Sequence, residues 1–229
     1  MSTSVQPTAN RFNPLDKLNK TAVFCLRTLI VCYVGMSLIE TAGGLMFPSF
    51  SDPNADISSG LEMALGLGLF GVAIVSVPVY ITCIVAICRF MYRANENIRA
   101  AGRTDLEFTP GWCVGWWFIP LACLFKPREA MVELYKASDS PVTSDWKTNS
   151  FDPIINKWWA CWIIGSIVTR IESRLVVSGV DTGLAAIPIT WISTILLSLA
   201  AFWLISIVSH ITAQQRKNLS DVVHQGDVV

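Results

Sequence analysis

The chain has 229 residues, 52% of them hydrophobic, with mean hydropathy +0.50 and 17 basic residues balanced by 17 acidic ones. So apolar a composition excludes an ordinary soluble domain. Four stretches, about 22–47, 62–90, 155–177 and 183–210, are each long enough as a helix to cross ~30 Å of hydrocarbon. Basic residues are not interleaved with aromatics in any recognition module, so nucleic acid is not an expected partner.

In chain order, residues 1–21 read as a flexible cytoplasmic arm rich in Ser, Thr, Pro and Asn. The first span, 22–47, is too long for a signal-peptide core and lacks a small-residue cleavage site, so it is expected to be a retained anchor. It carries Arg27, near enough its inner end to snorkel, and Glu40, much deeper. Pro48–Leu61 is turn chemistry and is expected to be a short outer loop. In the second span, 62–90, Ala64, Gly68 and Gly71 allow close approach of a neighbour, and Pro78 predicts a kink. Beyond Arg89 the same helix is expected to continue through RFMYRANENIRAA. Arg93–Glu96 and Glu96–Arg99 would be i,i+3 pairs, and Gly102 a C′ terminator. Thr109-Pro110 predicts an N-cap with proline at the first helical position.

Residues 111–125, GWCVGWWFIPLACLF, are apolar but span only ~22 Å as a helix, and Pro120 lies inside them. If they crossed, Lys126, Arg128, Lys136 and Lys147 would move to the other face. A Trp-rich re-entrant or interfacial hairpin over about 110–126 is the expectation. Trp112, Trp116, Trp117 and Pro120 form its candidate cradle for a lipid or ligand, against the plainer account of aromatic-belt or core packing. Residues 127–138 predict an amphipathic helix on the inner surface, with Met131, Leu134, Tyr135 and Ser138 as its apolar stripe. Its Glu129 and Glu133 read as solvated charges. The third span, 155–177, opens with Lys157-Trp158-Trp159, a headgroup-boundary pattern. A brief outer turn, SGVDTG, leads to the fourth span, 183–210, and a flexible tail over 212–229.

With four crossings, every extramembrane Lys and Arg falls on one face, which the positive-inside rule makes cytoplasmic. The expected architecture is therefore an all-α membrane protein, a single domain over 22–211 with both termini cytoplasmic. Glu40 lies ~28 Å from the inner end of its helix, Arg174 ~26 Å and Arg170 ~20 Å along theirs. The matched depth and opposite sign predict a Glu40–Arg174 or Glu40–Arg170 ion pair between the first and third spans. Glu172 is expected to face the outer headgroups.

The seven cysteines lie in or beside apolar segments with no CxxC pair, and read as packing residues. No catalytic, cofactor-binding or metal-binding motif is present in the sequence, so no cofactor and no enzymatic role are expected. His210 and His224 lie at a helix end and in the tail, neither placed for acid–base work.

The segment LEFTPGWCVGWWFIPLACLFKPREAMVELYKAS, preceded by RANENIRAAG and followed by INKWWACWII, resembles an uncharacterised bacterial integral membrane family, the domain of unknown function 4328 (DUF4328). The resemblance covers about residues 60–210. It implies an integral protein of the bacterial cytoplasmic (inner) membrane and implies no activity. Three function classes follow. The leading one is a non-enzymatic accessory or scaffold protein that binds membrane lipids or a membrane or cytoplasmic protein partner. The second is a small-solute transporter or channel component, against which the lack of an inverted repeat weighs. The third is an intramembrane enzyme.

Overall fold

A computed structural model describes residues 14–47, 59–141, 144–148, 150–178 and 186–218, and among them every regular element is helical. The helices are α1 (Asp16–Met46), α2 (Gly60–Ala100), α3 (Pro110–Gly115), α4 (Lys126–Asp139), α5 (Ile154–Val177) and α6 (Ala186–Asn218), with short 3-10 turns at Trp116–Phe118, Ala122–Leu124 and Trp146–Thr148. The outer loop expected at Pro48–Leu61, most of the SGVDTG turn, the arm before residue 14 and the tail after 218 lie outside the described residues, apart from the edges of the two loops.

Local signals set several boundaries. α2 runs without interruption through Pro78 and past Arg89 to Ala100. It ends as Gly102 predicted: this residue has φ 101°, the Gly102 N–H donates to the Arg99 carbonyl and the Arg103 N–H to the Ile98 carbonyl. That pair of bonds is a Schellman closure, which needs a residue tolerant of positive φ. Thr109 caps α3, its hydroxyl accepting from the Trp112 N–H, with Pro110 in the first turn. Of the two expected ion pairs on α2, Arg93–Glu96 forms at 2.8 Å. Arg99 instead turns to Asn95 Oδ1 and to the carbonyls of Leu106 and Phe108.

Three helices, α1, α2 and α6, are long and apolar enough to cross a membrane, where four were expected. α5 has 24 residues, but Lys157 and the Arg170–Glu172–Arg174 run dilute its apolar content. The arm and tail are also shorter than expected. α1 starts at Asp16 behind a buried Leu15, and α6 continues to Asn218 with Thr212 and Gln215 buried. Apolar or hydrogen-bonding side chains at those positions draw the chain into a packed unit.

The chain divides into two compact units. The first comprises Met1–Ala22, Val85–Ile155 and Ser206–Val229; the second comprises Val23–Ile84 and Asn156–Ile205. The first packs like a soluble domain around Phe90, Met91 and Ile98 of α2, Met131 and Leu134 of α4, and Ile207 and Ile211 of α6, all fully buried. In the second unit all four long helices present large apolar side chains outward, among them Val31 and Leu38 of α1, Phe70 and Ile74 of α2, Ile164, Ile167 and Ile171 of α5, and Ile195 and Phe202 of α6. An apolar exterior of this kind suits hydrocarbon rather than water.

Candidate functional site

The second unit holds Glu40, Arg170, Glu172 and Arg174. Glu40 is half-buried, whereas Arg170 and Arg174 are exposed, and among the described residues no ion pair joins Glu40 to either. The nearby charge that acts on Glu40 is Glu172. Glu172 is half-buried, and α6 offers it hydroxyl donors. The Thr190 hydroxyl donates to one of its carboxylate oxygens, and the Ser193 hydroxyl approaches the other at 3.5 Å. Two further polar contacts tie α1 to α6: Ser37 and Thr194 share a buried hydrogen bond of 2.5 Å, and the Trp191 indole N–H donates to Thr41 Oγ1 at 3.0 Å. Helices α5 and α6 approach closely at Gly165, where a Cβ would sit 3.0 Å from Leu197 Cγ.

Residues 110–126, the expected hairpin, lie in the first unit. α3 gives way to the turn Trp116–Phe118, then Ile119 is extended and Leu121 takes φ 67° beside Pro120. Of the candidate cradle residues, Trp112 and Trp116 pack with ring centroids 4.6 Å apart, while Trp117 is half-buried and Pro120 exposed. What the turn does present is apolar bulk: Phe118 is 70% exposed, Leu121 77% and Phe125 65%.

The residue that sequence reasoning missed is Glu133. Read as a solvated charge, it is 5% exposed. Its two carboxylate oxygens accept the backbone N–H groups of Glu107 at 2.7 Å and Phe108 at 3.1 Å, clamping the loop that precedes α3. Burial pushes its carboxyl above the ordinary carboxylate range; the two N–H groups and nearby Arg99 pull it part of the way back. Ala130 and Ala137 flank it at i−3 and i+4, both buried, and this small–Glu–small spacing was the signal available.

Beside it, Asn95 is buried and its amide donates to the Phe108 carbonyl at 2.9 Å and to Cys113 Sγ at 3.4 Å. Burial, with Glu133 beside it, pushes the Cys113 thiol up to about 12 against the opposing influence of Asn95 and Arg99, so it is held as a packed thiol and not as a nucleophile. On the other side of the unit, Asn97 donates to Gln215 Oε1, and Gln215 donates in turn to the Ala94 carbonyl and to Ser138 Oγ, each at 3.0 Å. Arg103 closes the loop after α4, donating to the carbonyls of Ser140, Pro141 and Ser144.

Along α4 an open depression of about 410 Å³ lies over Glu133. Lys136, Arg128, Lys147, Glu107, Glu129 and Phe151 contribute to its walls. Among the described residues no group of His, Cys, Asp and Glu is arranged to hold a metal ion.

Membrane-length apolar helices, an apolar exterior on one unit and a hydrogen-bonded polar interior in the other define a helical membrane protein. The model of the domain of unknown function (DUF4328) matches residues 59–213, more than half of the chain, and the chain belongs to that family. No curated protein and no solved structure matches it. The matched region includes the Glu133 clamp, residues 110–126 and the depression, whereas α1 with Glu40 precedes it.

Proposed function

We propose that this chain is a four-pass protein of the bacterial inner membrane, with both termini cytoplasmic, acting as a non-enzymatic accessory or scaffold protein that binds lipid or a membrane partner through its first unit. Chain connectivity supports the fourth crossing. The first unit owns the start of α1, the end of α2, the start of α5 and the end of α6. If α1, α2 and α6 cross, one more crossing is needed between α2 and α6. α5, about 36 Å long at ~1.5 Å per residue, is the described helix there with the length to make it. Its exposed Ile164, Ile167 and Ile171 suit contact with hydrocarbon.

The single observation that carries the binding role is the exposed apolar turn of the hairpin on an otherwise well-packed unit. Exposed side chains such as Phe118, Leu121 and Phe125 favour leaving water by about 25 cal/mol per Å² of apolar area. The broken backbone is too short to span, so shallow insertion from the inner face is the arrangement that covers them. A bimane label at Leu121 in proteoliposomes should be quenched by brominated acyl chains. The Phe118→Ser, Leu121→Ser, Phe125→Ser variant should lose lipids or a protein that co-purify with the wild type from its native membrane. A bimane reporter open to aqueous iodide and shielded from brominated lipid would refute the insertion.

Transport is the second reading, favoured by the Glu40, Glu172, Thr190 and Ser193 grouping within the membrane-length helices. Solute flux into proteoliposomes above that of empty vesicles would establish it in place of the accessory role.

A further inference from the structure

We propose that the depression along α4 is a binding site for a zwitterionic phospholipid headgroup, a phosphodiester carrying a primary ammonium of the phosphoethanolamine type. The proposal rests on the lipid-binding reading above and deepens it.

The two poles of the depression are chemically distinct. At one pole the Lys136 ammonium lies 5.5 Å from the centroid of the Phe151 ring; Arg128, next to Glu129 in the chain, lies 5.9 Å from the same centroid. Lys147 joins them: its ammonium lies 5.7 Å over Trp146, and its carbonyl accepts from Lys136 Nζ at 3.3 Å. Trp146 is buried and fixed by its indole N–H to Asp105 Oδ2 at 2.7 Å, so this wall is preorganised. The carboxylate that Lys147 approaches, Asp105, is 3.9 Å away and half-exposed, a weak competitor. Ring faces hold the cations in place while leaving ammonium N–H groups for a phosphate.

The other pole carries the carboxylates, with Lys126 and Arg128 beside them. Glu129 pairs with Lys126 at 2.6 Å, and exposed Glu107 lies beside them. Glu129 and Lys136 are seven residues apart, so the poles are separated by about 10 Å along one face of α4. Glu133, at the floor, is occupied by the backbone N–H groups of residues 107 and 108 and faces neither pole as a free charge. A purely anionic ligand would meet Glu107; a zwitterion satisfies both ends at once.

Chain position selects a membrane lipid over a soluble molecule. Arg128 follows the exposed Phe125 by three residues, and Phe151 precedes the start of α5 by three. The depression is thus bounded on both sides by the points where the chain turns apolar, which under the topology proposed above is headgroup depth.

The test is native mass spectrometry of the full chain in detergent, with phosphatidylethanolamine or phosphatidylglycerol of identical acyl chains added at equal concentration. Phosphatidylethanolamine should be retained at least fivefold better by the wild type. The double variant Lys136→Met, Lys147→Met should lose most of the bound phosphatidylethanolamine. Glu107→Gln should remove the preference between the two lipids while keeping phosphatidylglycerol. Hydrogen exchange of α4 verifies that each variant is folded. Equal retention of the two lipids, retention unchanged by the lysine substitutions, or displacement by free phosphoethanolamine at the concentration of the lipid would each overturn the proposal. The quenching of a label at Leu121 reads hairpin insertion independently, so loss of this site and loss of the lipid-binding reading give different results.

Discussion

Replacing Glu133 by alanine removes the acceptor for two backbone donors at once. Phe108 is buried, so its N–H has no water to turn to, and an unsatisfied buried donor costs about 1–3 kcal/mol. Glu107 is exposed and its N–H recovers a bond to water, losing about 1 kcal/mol. The loop over residues 104–109 should therefore open more easily by about 2–4 kcal/mol, a loss of amide protection of roughly 30-fold to several hundredfold. Hydrogen exchange read by mass spectrometry on a peptide spanning Phe108 measures it directly. The pH dependence has a definite sign. The Glu133 carboxyl is raised above its ordinary 4.5 when the loop is closed, so the closed form binds the proton more tightly than the open form. Closure is then most favourable below the ordinary value and weakens as pH climbs from there through the raised value. The protection factor at Phe108, corrected for intrinsic exchange, should fall over that window in the wild type and stay level in Glu133→Gln. Protection within twofold of wild type in Glu133→Ala, or protection that rises with pH in the wild type, would refute the clamp.

At Gly165, alanine places a Cβ 3.0 Å from Leu197 Cγ and 3.2 Å from Leu196 Cβ, an overpacking of about 1–3 kcal/mol that exceeds the ~1 kcal/mol returned by helix propensity. Its denaturation midpoint in mixed detergent micelles should drop, and a rise would contradict close packing of α5 on α6. A double-mutant cycle of Ser37→Ala and Thr194→Ala should yield a coupling of about 0.6 kcal/mol, the usual scale for hydrogen bonds between membrane helices, and none if the two hydroxyls do not meet. Cys113, buried with its thiol pushed up to about 12, should stay unalkylated by maleimide at pH 8 in the folded protein and react after denaturation; fast labelling of the native form would revive it as a nucleophile.

What was legible in the sequence is what depends on neighbours within one turn. Gly102, Thr109-Pro110 and the Arg93–Glu96 pair act through residues three to five positions away, and each forms as its spacing predicts. The residues misjudged are those whose partners lie far along the chain. Glu133 was assigned to water because Met131, Leu134, Tyr135 and Ser138 already made a sufficient apolar stripe. Its actual partners, the N–H groups of residues 107 and 108, lie some 25 positions upstream. The hydroxyl partners of Glu172 on α6 are likewise distant in the chain, 18 and 21 positions on. Arg99 abandoned its expected partner Glu96 for the carbonyls of Leu106 and Phe108, which a folded loop had to bring within reach. Nor did the aromatic signature of residues 110–126 tell that Phe118, Leu121 and Phe125 would be more exposed than Trp112.

These misjudged positions are unequally distributed. Outside its few hydroxyl contacts, the second unit presents interchangeable apolar side chains, for which hydrocarbon compatibility is the main requirement. In the first unit, by contrast, Asn95, Asn97, Ser138 and Gln215 are buried and hydrogen-bonded to one another or to the backbone. Such a network tolerates little substitution, since removing one member strands another in a low-dielectric interior. An anchor would need only the first kind of construction. The second kind fixes the geometry of α4 and the loop beside it, which is where the depression lies, and a rigid scaffold under a charged site is what selective recognition requires. If the protein served only to hold its termini at a membrane, Asn97→Leu with Gln215→Leu would leave its lipid selectivity unchanged. The clamp and the network together lead us to expect that selectivity is lost before membrane residence is.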